Sequence, residues 1–278
     1  MQAPEPAVNV VGLLPSLNNR LLQLLHSLQP ADWNRQTVAK RWTVKDITAH
    51  LLDGNIRILS MLRDGHFAAT PDLGEHSTLV TYLDGLNADW VKAMERVSPS
   101  MLILLHESTG DLFNEYYASL DPFAKASFPV AWAGEEESFN WMHIAGEYTE
   151  KWLHQQQIRD ALDDDTIMSR EFFYPFINIF MLGLPHTYRN VTAPAGTCVQ
   201  VTIPGHAGGL WQLVNDDTQW LLHSTHVAEP ASELIIDAGI AWKLFSKSIR
   251  PAEVRNNVSI VGDQALGATA LSMVSVMA

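Results

Sequence analysis

The sequence predicts a multidomain α and α+β protein. An up-down four-helix bundle is expected over residues 1–170 and a smaller α+β domain over residues 171–278. Three observations carry this. Long segments with apolar residues at helical spacing fill the first half. Short segments with β-branched residues in alternation fill the second half. Pro175, Pro185 and Pro194 break the run of regular structure, and the boundary is placed between Ser169 and Thr192.

The helices follow in order. Leu13, Leu14, Leu17, Leu21, Leu24, Leu25 and Leu28 recur at helical spacing over residues 8–28, and Pro30 ends the run. Trp33 to Lys40 reads as a polar connection. Thr43 is a good N-cap for a second helix, with Asp46 in its first turn and Asp64-Gly65 at its close. A third helix is expected from Ser77 to Val97, where Pro99 interrupts, and a fourth stretch from Ser100 to Leu120. After a loop of small and acidic residues, the last long helix runs from Phe139 to Leu162 and stops at Asp163-Asp164-Asp165. Long helices with modest loops suit a bundle.

In the second half, strands are expected at Thr197–Ile203, Leu210–Val214, Gln219–His223, Ser232–Ile236 and Val258–Val261. Asn215-Asp216-Asp217 is a hairpin turn between the second and third of these. Helices are expected at Ala238–Ile249 and Gln264–Met277.

Composition narrows the partners. Hydrophobic residues make up 47% of the 278 and charged residues 18%, which is a globular balance. A formal charge of −13 repels phosphate backbones and anionic lipid, so neither nucleic acid nor a membrane is an expected partner. The start has no basic region followed by an apolar core, and no apolar run approaches the roughly 20 residues of a membrane span. The single cysteine, Cys198, forms no intramolecular disulfide. A cytoplasmic protein is expected.

One constellation stands out. At 100° per residue, His143, Glu147, Glu150, His154 and Gln157 share one stripe of the last long helix. In a bundle, apolar residues normally fill such a stripe, and burying these groups without partners costs several kcal/mol. Either the stripe faces solvent or something inside the bundle satisfies it. Glu150 and His154 stand one turn apart and both can reach a single ion. On the second helix, His50 sits on the shoulder of the apolar face made by Val44, Ile47, Leu51, Ile58 and Leu62. A His-Glu-His set suits a borderline divalent cation, zinc first, and leaves a coordination position open for water or substrate. By spacing alone, a Glu-x-x-x-His pair is more often a solvated face.

Trp42-Thr43-Val44-Lys45-Asp46-Ile47-Thr48-Ala49-His50-Leu51 resembles the first signature of the DinB-like superfamily, whose helix histidine binds metal. Glu150-Lys151-Trp152-Leu153-His154-Gln155-Gln156-Gln157-Ile158 resembles the second. Glutamate at its head resembles the mycothiol-dependent maleylpyruvate isomerase branch. Pro129-Val130-Ala131-Trp132-Ala133-Gly134 is similar to that branch's loop before the last helix. Ala228-Glu229-Pro230-Ala231-Ser232-Glu233-Leu234, the Trp242 segment and Val261-Gly262-Asp263-Gln264-Ala265-Leu266 resemble its sterol-carrier-like second domain.

The resemblance implies His50, Glu150 and His154 as metal ligands and a mycothiol-like low-molecular-weight thiol as cofactor. It implies an isomerase or S-transferase acting on a small electrophile, carboxylate-bearing ones included. Glu147 and His143 would orient ligands or serve as a general base, or else cap polar groups at the bundle rim. The branch carries a Gly-Arg pair that holds its anionic substrate, and Trp242 to Arg250 contains none. Lys247 or Arg250 would have to supply the charge, and a lysine is not a bidentate clamp. The alternative expectation is a non-catalytic protein that binds metal and a small ligand.

Overall fold

A computed structural model gives the structure and describes residues 8–67, 76–127, 137–254 and 256–273. The loop motif at 129–134 lies outside the described residues. The helices are α1 Leu14–Ser27, α2 Val44–Ile58, α3 His76–Met94, α4 Pro99–Ala118, α5 Asn140–Asp160, α6 Arg170–Met181, α7 Leu184–Tyr188, α8 Ala238–Phe245, α9 Pro251–Val254 and α10 Gln264–Ala270. The strands are β1 Cys198–Ile203, β2 Gly209–Asn215, β3 Trp220–His223, β4 Ser232–Ile236 and β5 Val258–Gly262. A helical N-terminal region thus precedes a sheet region, as the apolar periodicities predict. Among the described residues no helix is long and apolar enough to cross a membrane.

The chain forms two compact units. One comprises Val11–Asp121 and His154–Asp164, the other Met1–Val10, Pro122–Leu153 and Asp165–Ala278.

In the first unit α4 packs on α1 and α2, and α3 packs on α2. The α1 leucines at 14, 17, 21, 24 and 25 are all buried, as their spacing requires. Leu21, Leu24, Leu25, Trp33, Val44, Ile47, Leu51, Leu52, Leu102 and Ile158 join one apolar core. Each fully buried side chain of this size contributes roughly 1.5–3 kcal/mol. The second helix does not run evenly to Arg63. After Ile58 the chain widens into a π-helical turn over Leu59–Arg63, and Gly65 then takes φ +69 as the chain leaves it.

In the second unit the sheet order is β3-β2-β1-β4-β5. The β1–β4 pair is parallel, with Val201 opposite Leu234. All other pairs are antiparallel. The hairpin between β2 and β3 turns at Asn215-Asp216-Asp217 as expected. The Asp216 carboxylate accepts from the Thr218 and Gln219 amides, and Asp217 takes φ +82. Val199, Val201, Ile203, Trp211, Leu213, Leu234 and Ile236 are buried on one sheet face. The opposite face carries a polar ladder in which Gln200 and Thr202 both donate to Glu233 and Gln212 donates to Gln200.

Two expectations need correction. The stretch from Ser169 to Thr192 is not a break, because α6 and α7 occupy it. Pro175 sits inside α6. A proline removes one helical hydrogen bond, and here Phe172, Phe173, Phe176, Ile177, Phe180 and Met181 bury enough apolar surface to hold the helix regardless. The helix expected to reach Ile249 ends at Phe245, with Lys247 at φ +60. That left-handed conformation cannot propagate a right-handed helix.

Candidate metal centre

The α2 helix is fixed where it starts. The Thr43 hydroxyl accepts from the Asp46 amide at 3.3 Å, and the Thr43 amide donates to Asp46 Oδ2 at 2.9 Å. This reciprocal capping satisfies two helix-end donors and sets the direction in which the chain enters α2. Trp42 immediately precedes the cap. Two turns in, His50 is 6% exposed.

On α5, Glu150 and His154 are part-buried and one turn apart. The His50 and His154 rings meet edge to face at 4.5 Å between centroids. The Trp42 ring lies against both, 4.7 Å from His50 and 5.9 Å from His154. His50, Glu150 and His154 each offer one ligand atom, and these atoms all lie within 4.8 Å of one another. Among the described residues this is the set of three or more imidazole, thiol or carboxylate groups that converges so closely.

The donor chemistry fits a divalent ion. Two imidazole nitrogens and a carboxylate oxygen suit zinc at roughly 2.0–2.2 Å, which puts neighbouring donors about 3.4 Å apart in a tetrahedral shell. Three protein donors leave a fourth position open.

His154 has a partner within the same stripe, although the stripe pattern gave that residue no role. Its Nδ1 lies 2.8 Å from Gln157 Oε1. An amide oxygen only accepts, so the proton is assigned to Nδ1 and the lone pair to Nε2. Gln157 is 5% exposed and three residues further along the same helix face. The contact fixes the orientation of the imidazole. Neither Gln157 nor Trp42 announces this role by type. Gln157 reads as one more polar position, and Trp42 as part of a motif.

The other residues singled out from the sequence fall in different places. His143 and Glu147 are part-buried on α5, two turns and one turn before Glu150. Trp152 faces away from the stripe, stacks on Phe176 at 3.9 Å and donates to the Ile167 carbonyl. Lys247 and Arg250 are both exposed beyond the end of α8, and the Arg250 amide donates to Glu253. His106 is buried on α4 and bonds the Thr48 carbonyl at 2.9 Å. Cys198 is buried in β1, and burial pushes its thiol pKa up, which disfavours the nucleophilic thiolate.

Comparison with known proteins places these residues in a family. A crystal structure described as mycothiol-dependent maleylpyruvate isomerase superposes with a TM-score of 0.56 at 10% identity, covering 92% of this chain and 93% of that one. A single-site mutant of a protein so described superposes with a TM-score of 0.55 at the same identity and coverage. These likenesses concern the fold. A structure described as a UbiJ-SCP2 ubiquinone synthesis protein aligns with 36% of the chain at 16% identity and a TM-score of 0.26. No curated protein matches at the level of sequence. The family model described as the mycothiol maleylpyruvate isomerase N-terminal domain matches residues 14–159, which span α1 to α5 and hold all three converging side chains. The chain therefore belongs to the mycothiol maleylpyruvate isomerase N-terminal domain family.

Proposed function

We propose that this chain is a divalent-metal-dependent enzyme that uses a low-molecular-weight thiol, acting as an isomerase or S-transferase on a small electrophile. The observation that carries the reading is the convergence of His50, Glu150 and His154 within 4.8 Å, inside the region that the family model matches. These three residues would hold the metal, with zinc the first candidate. When bound, such an ion lowers the pKa of a thiol at its open position and polarises a carbonyl.

The chain's own residues do the rest. Gln157 holds the Nδ1 proton of His154 and so keeps the imidazole turned for ligation. Trp42 covers the two imidazoles with an apolar face that limits water around the reacting sulfur. Glu147 or His143, on the same helix face, would take the proton that a bound thiol loses. A thiol bound there would supply a nucleophile that adds reversibly to an activated double bond, so that the bond can reform with the other geometry and no electrons are gained or lost overall. An S-transferase would stop at the adduct or expel a different leaving group. Lys247 and Arg250 stay as candidates for holding substrate charge.

The test is turnover. Metal-loaded and chelator-treated protein are compared on a panel of low-molecular-weight thiols with an electrophilic cis-unsaturated acid. The reading expects a thiol-dependent rate that chelation removes and zinc restores. A chelated protein that keeps its rate contradicts the metal role. A metal-loaded protein that turns over nothing across the panel favours a non-catalytic metal- and ligand-binding protein.

A further inference from the structure

Residues 48, 49 and 50 of α2 stand about 100° apart around the helix, so together they face three directions that ring it. Each is engaged by a different neighbour. The Thr48 carbonyl bonds His106 Nε2 of α4 at 2.9 Å. The Ala49 carbonyl accepts from Trp90 Nε1 of α3 at 2.8 Å. The His50 imidazole meets the Trp42 and His154 rings, at 4.7 and 4.5 Å between centroids. A carbonyl only accepts, so the proton is assigned to His106 Nε2.

The backbone does not require the two side-chain donors. Inside a helix a carbonyl already accepts the amide four residues on, and His106 and Trp90 use the second lone pair. Packing does not require them either. His106 is 1% exposed, and an apolar side chain would fill such a place without the cost of desolvating an imidazole. Two directional bonds to consecutive carbonyls supply something else, a fixed rotation of α2 about its own axis. Apolar packing is non-directional and sets that rotation less sharply. An ion is sensitive to it. Helix side chains reach roughly 5–6 Å from the axis, so a rotation of about 10° carries an imidazole nitrogen about 1 Å. Metal–ligand distances tolerate only about 0.2 Å.

We infer that His106 and Trp90 are positioning residues of the metal centre, which lock the rotation of α2 and so aim His50 at the ion. This rests on the metal reading in the proposed function. It extends the centre to α3 and α4, which hold none of the three converging side chains.

The experiment titrates the full chain with zinc against a competing chelator, and with cobalt(II), whose visible absorption reports the geometry of its donors. Melting midpoints are measured on the same samples without metal. The proteins are wild type, His106→Leu, His106→Gln, Trp90→Phe and Leu102→Ala. Leu102, fully buried on the helix that carries His106, has no side-chain donor and serves as the stability control. Expected is zinc affinity about tenfold lower in His106→Leu and in Trp90→Phe, with altered cobalt bands, as for groups that orient a ligand. His106→Gln keeps an N–H for the same carbonyl and keeps the wild-type affinity and spectrum. Leu102→Ala melts earlier than wild type and binds both ions as wild type does. The inference is overturned if either His106→Leu or Trp90→Phe keeps both affinity and spectrum. It is also overturned if His106→Gln loses as much as His106→Leu, or if Leu102→Ala loses affinity in step with its stability. Should His106→Leu not fold, Trp90→Phe decides alone. Wild type that binds neither ion defeats the metal reading itself, before any variant is compared.

Discussion

Helices α2 and α5 both carry candidate ligands, yet they are held in place by different physics. The inner face of α2 is apolar, with Val44, Ile47 and Leu52 at 0% exposure and Leu51 at 2%. The end of α5 buries polar groups instead, with Gln155, Gln156, Gln157 and Arg159 each between 1% and 5% exposed. Arg159 pairs with the Asp164 carboxylate and donates to the Arg20 carbonyl, and Gln157 accepts from His154. An apolar face is non-directional and tolerates small shifts. A buried polar network demands particular geometry and fails when one member is lost. On this contrast the inner face of α2 serves stability, while the polar end of α5 fixes the direction of its side chains.

Substitutions can break or sharpen that contrast. The largest loss of stability is expected from Leu52→Ala in α2, about 3 kcal/mol from lost burial and a cavity, read as a lowered denaturation midpoint. Folded Leu52→Ala protein should still bind metal as wild type does. Arg159→Met in α5 comes next, at about 2–3 kcal/mol. It stays below the full penalty of a broken buried pair because Asp164 is 28% exposed and can rehydrate. Gln157→Leu should change the denaturation midpoint little while metal affinity falls roughly 10–100-fold, and Gln157→Glu, which keeps an acceptor, should restore it. A Gln157→Leu protein that unfolds early but binds metal normally would erase the distinction between the helices. The smallest effect is expected from Thr43→Ala, about 1 kcal/mol of stability from the lost cap.

The same contrast explains what the sequence reveals. Apolar periodicity announces α1 and the inner face of α2, and alternation announces β4 at Ser232–Ile236, residue for residue. Where two signals compete, the louder local one misleads. Pro175 argues against a helix that seven buried apolar residues sustain. The Ala238 helix continues on paper through Lys247, where the backbone has already turned left-handed. His50, Glu150 and His154 are legible because an acid-imidazole stripe is conspicuous on a bundle helix and because both motifs resemble a known pattern. Gln157 is less legible. A glutamine three residues after a histidine is an ordinary helix pattern, and the 2.8 Å contact is what shows the two side chains meeting.

The central claim is that α2 and α5 together hold one divalent ion. It is tested most directly by elemental analysis of purified wild type beside His50→Ala, His154→Ala and Glu150→Gln, with circular dichroism to verify that each variant is folded. One equivalent of metal in wild type, and a strong loss in each folded variant, is the predicted result. Equal metal content in wild type and all three variants would contradict it.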